Sequence, residues 1–577
     1  MSTPSSAPKA IAWRRRALVG VTCAALAAGS LSAAPPAHAG LLSSLLGVLT
    51  KVTGLVDNVL HPDGLWGDPN ADAVSTTSTG AYSAAKDPGS LYTIENAIGA
   101  RSVWAQQDAA HRQITGQGVG IALLDSGVSP VAGLDGAGKL TYGPDLSIEA
   151  NGPLIDQDTF GHGTHLAGII GARDAAPLTA TSIPRLDPNL QLGVAPDAAI
   201  EAFKLATTDG STDVSQVIAA LDWVTQHSTT ADGTRIRVIN VSYGTDSVQP
   251  YQADPLAAAV ENAWKHGIVV VVSGGNEGYQ AGRLTDPAID PYVLAVGASD
   301  PNNSVSGWNS PYVAAFSSSG TAQRHVDLLA PGRSIVSLRD PGSYIDSNHP
   351  EGQVARDTSG RLFRGSGTSQ AAAVVSGAVA LLLQAYPNLT PDQVKYLLTR
   401  SATPVSAGSV YAGAGELNIA AALNQAANAN SLLGKLLGGG LSGATQSFSR
   451  STGQGSIEAA RGGSHLIDAD GHVLSGEIDV QGRPWNPSAW WPASSSLTAW
   501  NGGSWNGADW TGSSWGSTGG WSASRWSAAR WSASRWSAAR WSDQNWSAAR
   551  WSADGWSAAR WSDTSWQAAR WSASRWN

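Results

Sequence analysis

The sequence predicts an α/β protein: a mostly parallel sheet with helices on both faces. Two observations carry this. From about residue 115 to 400, short apolar runs alternate with segments of helical character, an arrangement that builds parallel sheets. The apolar runs are also continuous rather than alternating, as in Ile268-Val269-Val270-Val271-Val272, which suits strands covered on both faces. A chain of 577 residues exceeds what one core needs, so flanking segments are expected.

The elements follow in order. Gly118 to Leu124 is apolar and ends at Asp125, at the carboxyl end of a strand, where open α/β sheets place ligands. His162-Gly163-Thr164-His165-Leu166-Ala167-Gly168 opens a helix running through Ile170, and its small residues permit close packing on the sheet. The strand Ala199 to Leu205, the helix Val214 to Gln226, the strand Val238 to Ser242 and the helix Pro255 to Lys265 come next. The Ile268 to Val272 run leads into Ser273-Gly274-Gly275-Asn276-Glu277-Gly278. Arg339 to Phe363 is polar and rich in Gly, Pro and Asp, and reads as a surface insertion bordering a cleft. Gly365-Ser366-Gly367-Thr368-Ser369-Gln370-Ala371-Ala372 is a glycine-rich turn into a buried helix reaching about Tyr386. Ser369 then sits at a helix N-terminus, where the local dipole favours negative charge. The helix Pro391 to Arg400 has Thr390 as its cap and Pro391 at its first position.

Taken singly, Asp125, His162 and Ser369 have plainer readings: a turn former, a core or surface histidine, a helix cap. His162 and His165 could open a metal site, but no third ligand stands at helical spacing. Together the three residues supply a nucleophile, a base and an anion to orient the base. With the segments quoted, in the order Asp, His, Ser, the chain resembles the subtilisin-like serine proteases (subtilases) over roughly residues 92 to 425.

The resemblance implies hydrolysis of peptide bonds through an acyl-enzyme, with Ser369 as nucleophile, His162 as base, Asp125 as its orienter and His165 as a structural neighbour. It makes Asn276 an oxyanion donor beside the Ser369 backbone N–H; alone, an asparagine in such a loop would be a turn residue. It implies that Ser242, Tyr243 and Gly244 pair their backbone with an extended protein or peptide substrate. Ser273, Gly274 and Gly275 would line the pocket for the side chain before the cut bond, and their small size suggests a roomy, apolar one. Two positions depart from the family pattern: Gln370 stands where a methionine usually follows the serine, and Ala373 where a proline is usual. The chemistry needs no cofactor. Structural calcium is common in the family, and no ligand cluster here is diagnostic of it. With all four catalytic positions present, an active endopeptidase is expected rather than a binding protein on an inactive scaffold.

The flanks read differently. Residues 1–39 resemble an export signal: Arg14, Arg15 and Arg16, an apolar stretch from Ala17 to Leu31, then Ala37-His38-Ala39 as a cleavage site. The arginines fit the twin-arginine route and an ordinary Sec signal alike. A secreted or surface-associated protein is expected. The only Cys, Cys23, and the only Met, Met1, fall within this segment, so the remaining chain has neither disulfide nor sulfur side chain. Losing Lys9 and three arginines, with no acid among residues 1–39, takes the net charge from −8 to −12 and argues against nucleic acid as a partner.

Residues 40–91 hold a helix over Leu41 to Leu60 and a polar linker, with a short propeptide and a packing or interfacial helix equally compatible. The catalytic domain spans 92–425. Residues 426–484 read as a Gly/Ser-rich linker with a small hairpin over Ser464 to Val480. Residues 485–577 form a Trp-rich region: Trp stands at 500, 505, 510 and 515, then every five residues from Trp521 to Trp576. From Trp521 onward eight Arg face three Asp. A five-residue period fits neither helix nor strand; an ordered solenoid and an unstructured tail are the two readings. Exposed Trp with Arg suits a cell-envelope polymer or an anionic surface as partner.

Overall fold

The computed structural model describes residues 81–150, 155–230, 232–430, 440–467, 472–501 and 503–509, with short strands beyond. The predicted signal, the Leu41 to Leu60 helix and most of the Trp repeat lie outside the described residues.

The central sheet has eight strands: β1 (Gly120–Asp125), β2 (Leu140–Tyr142), β3 (Ala199–Lys204), β4 (Ile236–Val241), β6 (Val269–Ser273), β7 (Leu294–Asp300), β8 (Tyr312–Val313) and β9 (Leu328–Pro331). Between β4 and β6 lies the two-residue β5 (Tyr243–Gly244), outside this sheet. The order is β2-β3-β1-β4-β6-β7-β8, with β9 also paired to β7. Every pairing is parallel except that of β7 with β8. β1, β3, β4, β6 and β7 are buried at every residue, so both faces of the sheet are covered.

Two helix pairs accompany the sheet. The helix α1 (His162–Gly171) packs on α5 (Thr368–Ala385), and α2 (Val214–Gln226) on α3 (Pro255–Lys265). The short α4 (Tyr344–Asn348) lies in the insertion before α5, between the antiparallel strands β10 (Ile335–Leu338) and β11 (Leu362–Gly365). α5 is long and apolar enough to cross a membrane, but 94% of it is buried inside the protein, so its apolarity serves the core. Its C-cap is Tyr386. Caps account for the other starts. Asp213 and Gln216 form a capping box on α2, Asp254 caps α3, and Thr390 with Gln393 boxes α6 (Pro391–Ser401), with proline first in α3 and α6.

The C-terminal side departs from expectation. Residues 440–467 and 472–484, within the span read from composition as a linker with a hairpin, are packed onto the central α/β body. Ser451 N–H donates to Glu261 Oε1 (2.8 Å), and the Tyr251 and Tyr292 hydroxyls donate to the Ser449 and Phe448 carbonyls. Arg461 is fully buried, with Nε 2.6 Å from Asp213 Oδ2 and its Nη groups donating to the Gly476 and Ile478 carbonyls. Within the span expected to form a hairpin, Ile467 bridges Val473 antiparallel and Leu474 N–H donates to the Leu466 carbonyl (2.8 Å).

The first tryptophans are likewise buried rather than exposed. Trp490 and Trp505 both donate their indole N–H to Asp222 Oδ2 (2.8 Å each), and Ser494 Oγ donates to Oδ1 (2.5 Å). Trp500 donates to the Ala219 carbonyl (2.9 Å). These residues sit on α7 (Pro487–Ser495) and on a small antiparallel meander ending at Asp509, clamped against α2. Composition could not reveal this, because the partners lie about 270 residues upstream. Beyond residue 509, Arg530–Ser532 pairs antiparallel with His465–Ile467, and Arg535–Trp536 with β5.

Candidate active site

β1 and β6 end at the carboxyl edge of the sheet with Asp125 and Ser273. Asp125 is fully buried, and its Oδ1 lies 2.7 Å from His162 Nδ1. The same oxygen accepts from the Ser126 N–H (2.8 Å) and lies 3.2 Å from Ser126 Oγ. A carboxylate so placed fixes the ring orientation and the proton on Nδ1.

His162 opens α1 after Gly161, whose φ of 102° suits glycine. At Gly163 a Cβ would lie 2.0 Å from the Gly127 carbonyl oxygen and 3.3 Å from the Asp125 Cβ. Only glycine lets the His162 turn come this close to the end of β1. The start of α1 is held by a residue the sequence reading missed. Asp158 accepts from Gly161 N–H and Thr164 N–H (2.7 Å each) and from Ser126 Oγ (2.8 Å), which itself accepts from Gly163 N–H. His165 lies behind this corner; burial and the nearby His162 push it down to about 3, so it stays neutral, in keeping with a structural place. Among the described residues no group of three His, Cys, Asp or Glu is placed to hold a metal ion.

Ser369 is the second residue of α5, fully buried, after β11 and the turn at Gly367. Thr368, just before it, locks Asn276. The Thr368 N–H (2.9 Å) and Oγ1 (3.0 Å) both donate to Asn276 Oδ1, and Gly275 N–H donates back to Thr368 Oγ1 (3.3 Å). A backbone N–H can only donate, so the atom facing it must be the amide oxygen, and the NH2 group is what Asn276 offers elsewhere.

The substrate-strand residues lie next to this corner. Ser242 Oγ is 3.4 Å from the Ser369 carbonyl and accepts from Asn240, whose oxygen accepts from Ser376 on α5. Tyr243–Gly244 is β5, whose strand partner is Arg535–Trp536. Gly274 N–H donates to the Val296 carbonyl (2.9 Å), fixing the loop, and Gly275 has a φ of 109°. A Cβ on Gly274 would meet Val326 Cγ1 at 2.7 Å and the Val296 carbonyl oxygen at 3.1 Å. A Cβ on Gly244 would meet Thr285 Oγ1 at 2.5 Å; one on Gly275 would meet Glu277 Oε2 at 2.5 Å, Ser318 Oγ at 2.8 Å and Thr285 Cγ2 at 3.0 Å.

Residues 116–450 match the model of the Subtilase family. The chain belongs to the subtilase family. It is thereby a subtilisin-like serine endopeptidase. It is similar to Serine protease AprX of Bacillus subtilis (strain 168), 36% identical over 290 residues that cover 49% of this chain and 61% of AprX. Subtilisin Savinase of Lederbergia lenta is 33% identical over 318 residues, covering 55% of this chain and 95% of that protein. Subtilisin E of Bacillus subtilis (strain 168) is 31% identical over 370 residues, covering 61% and 80%. The matched span of this subtilase includes Asp125, His162, Asn276 and Ser369, and it reaches past residue 425 into the packed extension.

Proposed function

We propose that this subtilase cleaves extended polypeptides with Ser369 as nucleophile, His162 as general base and acid, and Asp125 as the anion that orients it. The carrying observation is the buried 2.7 Å contact between His162 Nδ1 and Asp125 Oδ1, at the mouth of a helix packed on the one bearing Ser369. Ser369 Oγ adds to the scissile carbonyl carbon while its proton passes to His162 Nε2. The carbonyl oxygen becomes an anion, stabilised by the Asn276 NH2 group and the Ser369 N–H. Collapse expels the amine, which takes the proton from His162 and leaves an acyl-Ser369 ester. Water, deprotonated by His162, releases the acid. The substrate backbone pairs with Ser242, Tyr243 and Gly244, in place of Arg535–Trp536 on β5, beside Ser273, Gly274 and Gly275. No cofactor enters these steps. The protein works outside the cell after loss of residues 1–39, and its repeat tail holds it to an envelope polymer or anionic surface.

Ser369→Ala is expected to abolish casein hydrolysis with the fold intact. Wild-type activity should vanish with a serine-directed inhibitor. Asp125→Asn and His162→Ala should be similarly severe, and combining them should add little, because the three act as a unit. Turnover retained in Ser369→Ala, free of contaminating protease, would overturn the assignment. A wild type inert towards both casein and inhibitor would favour a binding protein on an inactive scaffold.

A further inference from the structure

The insertion before α5 reaches the base. Tyr344 N–H donates to the Thr159 carbonyl (2.9 Å) and Ile345 N–H to the Phe160 carbonyl (3.0 Å), so the start of α4 is hydrogen-bonded to the two residues leading into Gly161 and His162. A Cβ on Gly161 would lie 2.4 Å from Ser343 Oγ, so the two segments touch. The Phe160 ring lies 6.4 Å from the His162 ring and 6.0 Å from the Tyr344 ring, stacked on the latter at 27°. Phe160 packs on Ile345 and Phe363. Three rings thus run from the imidazole to solvent, where Tyr344 is 40% exposed.

This arrangement is held rigidly. Arg339 grips Asp346 of α4 with Nε at 2.6 Å and Nη2 at 2.9 Å, a two-point fork. Gln353 and Gly342 N–H also donate to the same carboxylate, and Ser343 caps the helix. A lone exposed tyrosine needs no explanation. This one is stacked on a phenylalanine beside the catalytic ring and sits on a helix anchored by a part-buried, two-point ion pair, so its aromatic face is preorganised.

We propose that Phe160 and Tyr344 form an aromatic shelf that receives a bulky apolar substrate side chain within two positions of the cut bond, making Tyr344 a specificity-determining residue. The inference rests on His162 being the base. A side chain on the shelf would cover apolar surface that is otherwise hydrated, and aromatic pairing adds to that burial. Charged or very small side chains gain neither.

The test separates binding from chemistry. In a Ser369→Ala background, labelled peptides differing only at the positions flanking one cut bond (Ala, Leu, Phe or Asp) are titrated by fluorescence anisotropy, with and without Tyr344→Ala. Phe or Leu at one of these positions should bind at least 5-fold tighter than Ala, and Tyr344→Ala should erase at least most of that ratio. Tyr344→Phe should preserve it. In the active enzyme the kcat/KM ratio of Phe to Ala peptides should fall in parallel, mainly through KM. A ratio unmoved by Tyr344→Ala, or equal weakening of every peptide, would overturn the shelf. Failure of the triad reading would show separately, as wild-type protein that does not react with the serine-directed inhibitor.

Discussion

Asp158 joins the two halves of the Asp-His pair. It caps α1 through Gly161 and Thr164 and binds Ser126, the neighbour of Asp125. Burial raises its carboxyl despite these donors. Two other residues carry direct predictions. Asn276→Ala should lower kcat roughly 100- to 1000-fold, about 2.7–4 kcal/mol with KM little changed, the range measured for the corresponding loss in subtilisin. Near-normal kcat would remove Asn276 from the oxyanion site. Gln370 is fully buried in the first turn of α5, and among the described residues its amide has no hydrogen-bond partner at either atom. A buried amide left so costs about 1–3 kcal/mol per group. Gln370→Met should therefore raise the denaturant midpoint, while introducing a thioether that peroxide oxidises beside the nucleophile. The wild type, with its only Met at position 1, should resist peroxide at concentrations that spare Trp. Equal inactivation rates for the two proteins would defeat this prediction.

Among elements, the central strands and α2, α3 and α5 were legible, because a continuous apolar run between glycines and polar turns is a local signal and burial on both faces is its direct consequence. The four residues proposed for catalysis, Asp125, His162, Asn276 and Ser369, could be singled out for the same reason: each sits within a short motif. Asp158, Thr368, Thr285 and Phe160 were not, since their roles depend on what the fold brings opposite them. Glu416 is a further case, invisible in sequence and central to how strands are tied. Its backbone bridges Leu329 on β9 and Thr403, and its carboxyl accepts from Ser299 on β7. Burial pushes that carboxyl up to about 8 from an ordinary 4.5. The folded chain therefore keeps a proton that the unfolded chain releases near 4.5. Its stabilising contribution is full below that pH and is lost as pH rises towards about 8. Glu416→Gln, which does not titrate, should lose less stability than wild type between about pH 5 and 9 in thermal melts. Parallel curves for the two proteins would show that Glu416 does not set this dependence.

At the scale of the whole molecule, the start of the Trp-rich region belongs to the folded body. Trp485, Trp490, Trp500 and Trp505 are buried against the catalytic body. The regular five-residue series begins later, at Trp521. Truncation at the two boundaries should therefore differ. Ending the chain after residue 509 removes the pairings of Arg530–Ser532 and Arg535–Trp536 but keeps the buried tryptophans, so the protein should stay folded and hydrolyse peptides, and should shift from the producing cell's surface into the medium. Ending it after residue 484 strips Asp222 of three donors and opens the packed face of α2, a loss on the order of 5 kcal/mol or more, and should abolish activity by unfolding. Fractionation with peptide activity followed in each fraction reads both outcomes. Equal partitioning of the 509 form and the full chain would defeat the targeting role. A stable, active 484 form would show that the clamp is dispensable.

The clamp also bears on time. A polypeptide made from its N-terminus presents α2 long before its partners exist. Asp213 waits for Arg461, and Asp222 waits for Trp490, Ser494 and Trp505. Until then Asp213 keeps its local cap bond from Ser215 but lacks the cation that neutralises it, and Asp222 lacks the three donors that satisfy it; removing one member of a buried ion pair typically costs about 3–5 kcal/mol. The catalytic body is thus closed by some of the last residues to arrive, and its assembly is a late event in the life of the nascent chain.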